Sequence, residues 1–348
     1  MTDQQRPRLD LVRCYEGRAW EQDWIAFLLS DFDVTVHTSP DFSLVIPGGL
    51  YVVLGSHGLG HLPAPFLTAI ENAGCCGLLH LGDEFLRGPY AAYASFDYVL
   101  RNYHASYLDT PGVLSYPLGY SNDLSKGAGE ISSKRRYAWA FIGAQNRARE
   151  ELGSAWNGFE PNFFQLSDIR AGVPHLGRDT FLDLLDSSAF MPCPMGNTQL
   201  ETMRLYEVLE RGAIPVLPRR RTSSYFEDLL GDHHPLPAFY NWREARHFCE
   251  ALYVDSGELD AMQARIATWW AQKKRDVRAD VADFVAEGRT GMYREILRAA
   301  FAGAASPKQQ MQRLVELVRQ HDARAVEARL RIAGARVARK LGLTSSKT

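Results

Sequence analysis

Short apolar runs alternate with helical patterns along this chain, stop at a polar stretch, and then resume. In the first series, residues 9–14, 34–37, 50–55 (LYVVLG), 78–81 and 98–100 read as strands. Between them, residues 20–29 place Trp20, Trp24, Phe27 and Leu28 near one helical face, and residues 65–73 form a second helical pattern. The polar stretch SNDLSKGAGEISSK, residues 121–134, reads as a linker. The second series runs strand 137–143, helix 146–155 with Asn146 as its cap, strand 163–166, helix 180–186, strand 189–192, helix 200–211 and strand 214–217. Such alternation builds parallel sheets, because each parallel pair needs a crossover that a helix supplies. The expected fold class is α/β, with two Rossmann-like units at residues 1–125 and 135–300 facing a cleft. Ligands of such sheets bind beyond the carboxyl ends of the strands, here between the units.

Residues 306–348 differ in charge. They hold ten Lys/Arg against three Asp/Glu, a charge of +7. The whole chain carries −2, so the preceding body carries −9. Val326, Leu330, Ala333, Val337 and Leu341 recur at helical spacing among the basic residues. A basic helical tail is expected, suited to peripheral contact with an anionic membrane or to packing on the body. The acidic body argues against a general nucleic-acid binder. No run of about 18 apolar residues is present. The start, MTDQQRPRLD, lacks the apolar core of a signal peptide. Five cysteines without a CxxC pair do not read as a disulfide framework. The expected location is therefore cytoplasmic, with contact at the inner membrane face through the tail.

The most informative stretch is residues 188–218, SAFMPCPMGNTQLETMRLYEVLERGAIPVLP. A buried strand ends at prolines and a glycine. The loop Gly196-Asn197-Thr198-Gln199 then leads into a helix. Such a loop offers backbone N–H groups that can cradle a phosphate. Arg204 and Glu207 lie three residues apart on one helix face. The arginine suits a diphosphate, and the glutamate can accept hydrogen bonds from vicinal ribose hydroxyls. Gly212 closes the helix. As a plain surface pair, Arg204 and Glu207 would be worth a few tenths of a kcal/mol.

This block, Arg204-Leu205-Tyr206-Glu207 followed by Gly212-Ala213-Ile214-Pro215-Val216, resembles the C-terminal half of the exostosin family of glycosyltransferases. Leu236-Pro237-Ala238-Phe239-Tyr240-Asn241-Trp242 resembles that family's Pro-Phe…Trp segment. Phe141-Ile142-Gly143 and Arg147 resemble the strand and glycine turn that open its donor domain. His80-Leu81-Gly82-Asp83-Glu84 and Leu100-Arg101-Asn102-Tyr103 are more loosely similar to the ribitol phosphate xylosyltransferase branch. Ala213 stands where the family has Cys, and Met195 where it has Arg. The resemblance implies a GT-B-like fold and a nucleotide-sugar donor, UDP-linked, held by Gly143, Arg147, Gly196, Asn197, Arg204 and Glu207. The acceptor would be a glycan or a lipid-linked glycan. Transfer would be inverting, with no resident cofactor and no metal.

An inverting transfer needs a base for the acceptor hydroxyl. Asp83 and Glu84 follow the strand 78–81 at its carboxyl end, with Asp83 the first candidate and a helix cap its plainer role. His57 is a second candidate. His57 and His61 in GSHGLGHLP have metal-ligand spacing only on a helix, and the glycines favour a loop there. Asp31-Phe32-Asp33 matches the acid-x-acid metal motif but reads as a helix-ending turn. Two other classes stay open: a non-catalytic module that binds sugar or nucleotide, and a metallohydrolase built on the N-terminal histidines.

Overall fold

The computed structural model describes residues 6–124, 131–168, 173–174, 176–221, 223–301, 312 and 315. The basic tail expected at 306–348 lies outside the described residues apart from Gln312 and Val315. Among the described residues no helix is long and apolar enough to cross a membrane.

The first unit is built on β1 (Arg8–Arg13), β2 (Asp33–Thr38), β3 (Leu50–Leu54), β4 (Gly77–Leu81), β5 (Tyr98–Arg101) and β6 (Val113–Ser115). Its helices are α1 (Gln22–Leu28), α2 (Gly55–Gly60) and α3 (Ala64–Ala73). The strands pair in parallel in the order β2-β1-β3-β4-β5-β6. Every residue of β4 is buried, and so is every residue of β3 but the last, as expected of a parallel sheet covered on both faces.

The second unit holds β7 (Tyr137–Ala144), β8 (Asn162–Ser167), β9 (Ser188–Pro192), β10 (Ile214–Pro218) and β11 (Ala238–Phe239). Its helices are α4 (Arg147–Trp156), α5 (Arg178–Ser187), α6 (Met203–Arg211), α7 (Tyr225–Leu230) and α8 (Trp242–Val254). The strands pair in parallel in the order β11-β10-β9-β7-β8. Pro215 sits inside β10, where a ladder donor is lost. The strand beyond it tolerates this, because β11 pairs only with Leu217 and Pro218. In each sheet the winding reverses once, between β1 and β3 and between β7 and β9. These two reversals open crevices at the carboxyl ends of the strands.

The chain then returns. Helix α9 (Ser256–Gly288) has 33 residues and is about 50 Å long at 1.5 Å per residue. Its Trp270 stacks on Trp24 of α1 with ring centroids 6.0 Å apart. Near its end, Gly288 lies so close to Tyr98 that a Cβ there would meet the ring at 2.3 Å. The last element, α10 (Arg294–Phe301), packs on the first unit, with Leu297 and Phe301 in the core on one face of its sheet. Arg294 pairs with the buried Asp97 at 2.6 and 2.8 Å. The expected second unit, 135–300, therefore ends in a segment that belongs spatially to the first. Its polar neighbour 121–134 is not a free linker at its ends. Asn122 N–H donates to the Trp20 carbonyl at 2.8 Å, and Ser132 N–H donates to Gln263 at 2.8 Å.

Two local readings are corrected. The glycine-rich stretch at His57 is helical, as α2, because Gly55 follows β3 at φ +63 and Leu59 drops into the core. The first helix begins at Gln22, so Trp20 lies before it. Trp24 is fully buried, whereas Trp20 is 75% exposed.

Candidate functional site

The crevice at the β7–β9 reversal has two walls. One is the turn from β7 into α4, and the other is the loop 193–202 from β9 into α6. Asn146 caps α4 by accepting from Arg149 N–H at 3.0 Å, which fixes the first wall. The second wall is held from the first unit at both ends. Glu84 accepts from the N–H groups of Asn197 and Thr198 at 2.6 and 3.2 Å, and from Asn197 Nδ2 at 3.1 Å. At the other end Glu201 is buried and accepts from Leu118 N–H at 2.7 Å and from the hydroxyls of Tyr225 and Tyr206. Burial pushes the Glu201 carboxyl up from its ordinary value, and these donors oppose that shift. Gly196 packs closely on this contact: a Cβ would come within 2.7 Å of a Glu84 carboxylate oxygen, which would have to shift.

Two cavities adjoin these elements. The smaller, of about 520 Å³, is lined by Gly143, Arg204 and Glu207 together with Trp20, Ser121 and Arg178. The larger, of about 1110 Å³, is lined by Arg147, Gly196 and Asn197 with Arg220, Tyr240 and Trp242. The six residues expected to hold one ligand thus fall into two groups of three, one in each cavity.

In the smaller cavity Arg204 stands out. Its guanidinium lies over the rings of Phe141 and Phe181, at 4.3 and 5.4 Å. Its Nη1 is buried with no hydrogen-bond partner. Burial pushes its pKa down to about 10. A buried cationic donor without an acceptor is unfavourable, so an anion entering this cavity would gain a strong charge-assisted bond. Glu207, 7% exposed, sits one turn on along α6. Its Oε1 accepts from the Ser121 hydroxyl, which also accepts from Arg178 at 3.3 Å.

The base candidates are placed differently. Asp83 is 2% exposed, and its carboxylate accepts from Arg87 N–H, Gly88 N–H and the Tyr90 hydroxyl at 2.9, 3.2 and 2.6 Å. It closes the turn after β4 and lines neither cavity, so the plainer capping role fits its geometry. His57 is exposed on α2 and also lines neither cavity. The helix brings His57 and His61 together edge to face, with centroids 3.8 Å apart. Among the described residues no group of three or more His, Cys, Asp or Glu is arranged to hold a metal ion. Asp31 pairs with Arg278 of α9 at 3.1 Å, and Asp33 opens β2. Glu84 alone of the base candidates reaches the loop 193–202.

Sequence reasoning missed Trp20, Ser121 and Arg178 as cavity residues. Trp20 read as part of a helical face and Ser121 as linker, and nothing marked Arg178.

No protein family matches the chain, and no curated protein matches it by sequence. Solved structures match it in fold. HepE from Anabaena in complex with UDP is 10% identical, with a TM-score of 0.51 over 80% of this chain and 100% of that chain. HepE in complex with UDP and glucose is 12% identical, with the same TM-score of 0.51 and the same coverage of 80% and 100%. An α1,3-fucosyltransferase is 14% identical, with a TM-score of 0.46 over 76% of this chain and 83% of that chain. The likeness to the exostosin family rests on the motif alone. Two parallel-sheet α/β units, each with its reversal at a shared crevice, give this chain the GT-B-like fold.

Proposed function

We propose that the chain is a glycosyltransferase that moves a sugar from a UDP-sugar to a glycan or lipid-linked glycan acceptor. The observation that carries this reading is the pairing of Arg204 and Glu207 in one cavity at the sheet reversal. One is a buried cation with an unused donor, and the other is a carboxylate one turn away. A nucleoside diphosphate presents both complements, a diphosphate anion and a ribose diol. The HepE structures, which share the fold, are complexes with UDP and with UDP and glucose.

In this reading Glu207 accepts from the ribose hydroxyls and Arg204 meets the phosphate charge. Arg147 and Arg220, in the larger cavity, add positive charge toward the sugar end of the donor. The acceptor oxygen attacks the anomeric carbon as the bond to the diphosphate oxygen breaks, which inverts that centre. The proton of the acceptor hydroxyl passes to a carboxylate, and the arginines stabilise the leaving diphosphate without need of a metal or resident cofactor. Glu84 takes the base role best, since it faces the donor loop from the acceptor-side unit. Its carboxylate is held there by the backbone N–H groups of Asn197 and Thr198. The body works in the cytoplasm, with the basic tail at the inner membrane face.

The test is turnover with purified protein, UDP-sugars and a lipid-linked glycan pool. The expected result is UDP release that needs both donor and acceptor and falls at least 100-fold in Glu207→Ala. Donor binding without any release, under every acceptor tried, would instead support a binding module. No binding at all would remove the reading.

A further inference from the structure

Trp20 is the least buried large hydrophobic residue at the cleft, at 75% exposed. Leaving an indole in water forgoes most of its hydrophobic stabilisation, about 25 cal/mol per Å² of apolar area. Yet the backbone beneath it is firmly held. Asn122 N–H donates to the Trp20 carbonyl at 2.8 Å, and Asn122 Nδ2 donates to the Ala19 carbonyl. Arg18 bridges Asp23 and Asp123 at 2.6 and 3.0 Å, and Asp123 N–H donates to Asp23 at 2.7 Å. The loop after β1 is therefore a fixed mount. It carries the ring at the reversal of the first sheet into the cavity of Arg204 and Glu207. The indole has no aromatic or cationic partner among the described residues.

An exposed ring on a preorganised mount suits a flat ligand face, because the ordering entropy is already lost before binding. Glu207 and Arg204 take the ribose and the phosphate in the reading above, so the remaining flat part of the ligand is the base. Gln165, in β8 and in the same cavity, offers an amide donor and a carbonyl acceptor, the pair that a pyrimidine edge needs.

We propose that Trp20, contributed by the acceptor-side unit, is the stacking platform for the nucleobase of the donor. The proposal rests on the nucleotide reading of the cavity. It also makes donor binding a property of both units, since the ring and Glu207 come from opposite sides of the cleft.

Calorimetric titration of UDP into wild-type protein, Trp20→Ala and Trp20→Phe tests it. Trp20 is exposed, so both variants keep the fold. The expected Kd for UDP rises about 10-fold in Trp20→Ala and is largely restored in Trp20→Phe. Pyrophosphate, which has no base, binds all three alike. UDP affinity in Trp20→Ala within two-fold of wild type would overturn the proposal, even if KM for the acceptor rose. A wild-type protein that binds no UDP would instead overturn the nucleotide reading itself, and the platform with it.

Discussion

At the residue scale, His80 shows how the first unit uses a buried polar group. It lies inside β4, 1% exposed, with Nε2–H donating to the Gly55 carbonyl at 3.1 Å and Nδ1 accepting from the Tyr93 hydroxyl at 2.7 Å. Burial pushes its pKa down to about 4. The unfolded imidazole takes its proton near pH 6.5, so between about 6.5 and 4 the unfolded state binds more protons. The stability from a neutral His80 is complete above that window and is lost as pH falls through it, about 2 kcal/mol by pH 5. Urea unfolding of wild type and His80→Gln at pH 7.5 and pH 5 checks this. The wild type should lose about 2 kcal/mol more than the variant over that interval, and equal losses would exclude His80 as the cause. The sequence marked His80 only by loose likeness to a family segment. Its neutrality follows from tertiary burial, which no spacing reveals. Asp83 illustrates the same limit, for two adjacent acids looked alike in sequence. The fold turned one into a turn cap and the other into a contact across the cleft.

At the element scale, α6 is the piece that carries the candidate site. Its stop was legible, because Gly212 follows the last helical residue and adopts φ +72, the left-handed conformation in which its N–H caps Leu209 and Val208 carbonyls. Gly212→Ala should lower stability by about 1 kcal/mol through backbone strain alone, since a Cβ there meets nothing closer than 3.5 Å. A urea midpoint unchanged by the substitution would contradict that. Asn146 was legible for a similar reason, as an Asx cap ahead of a helical pattern. α2 was not, because three glycines oppose a helix by propensity and only the docking of Leu59 stabilises it. Trp20 was not, because an aromatic at helical spacing reads as core until the helix start is known. The chain from β9 to β10 was the most legible part, since strand, loop, helix, glycine and strand all follow one another within a short stretch.

At the scale of the whole molecule, the two units share one hydrophobic core and specific polar contacts across it. Glu84 reaches into the loop 193–202, Leu118 N–H reaches Glu201, and Ser121 reaches Glu207. The return of α9 and α10 to the first unit adds a further connection, through Arg289 on the Arg8 carbonyl and Arg294 on Asp97. The alternation of strands and helices in sequence carried the two-unit plan. It could not carry the return of the C-terminal segment, because that pairing joins residues nearly 200 positions apart. The candidate site therefore lies where the units share residues, around a buried arginine whose Nη1 has no hydrogen-bond partner.

That arginine offers the most direct test. Thermal unfolding of wild type and Arg204→Met is followed with and without saturating UDP. A ligand at 100 times its Kd adds about 2.7 kcal/mol, which is a readable rise in Tm. The account predicts that UDP raises the wild-type Tm and leaves that of Arg204→Met unmoved. Without UDP, Arg204→Met should be as stable as wild type or more so, because an unpaired buried cation is removed. An equal UDP-induced rise in both proteins, or none in the wild type, would contradict the claim that this cavity binds a nucleoside diphosphate.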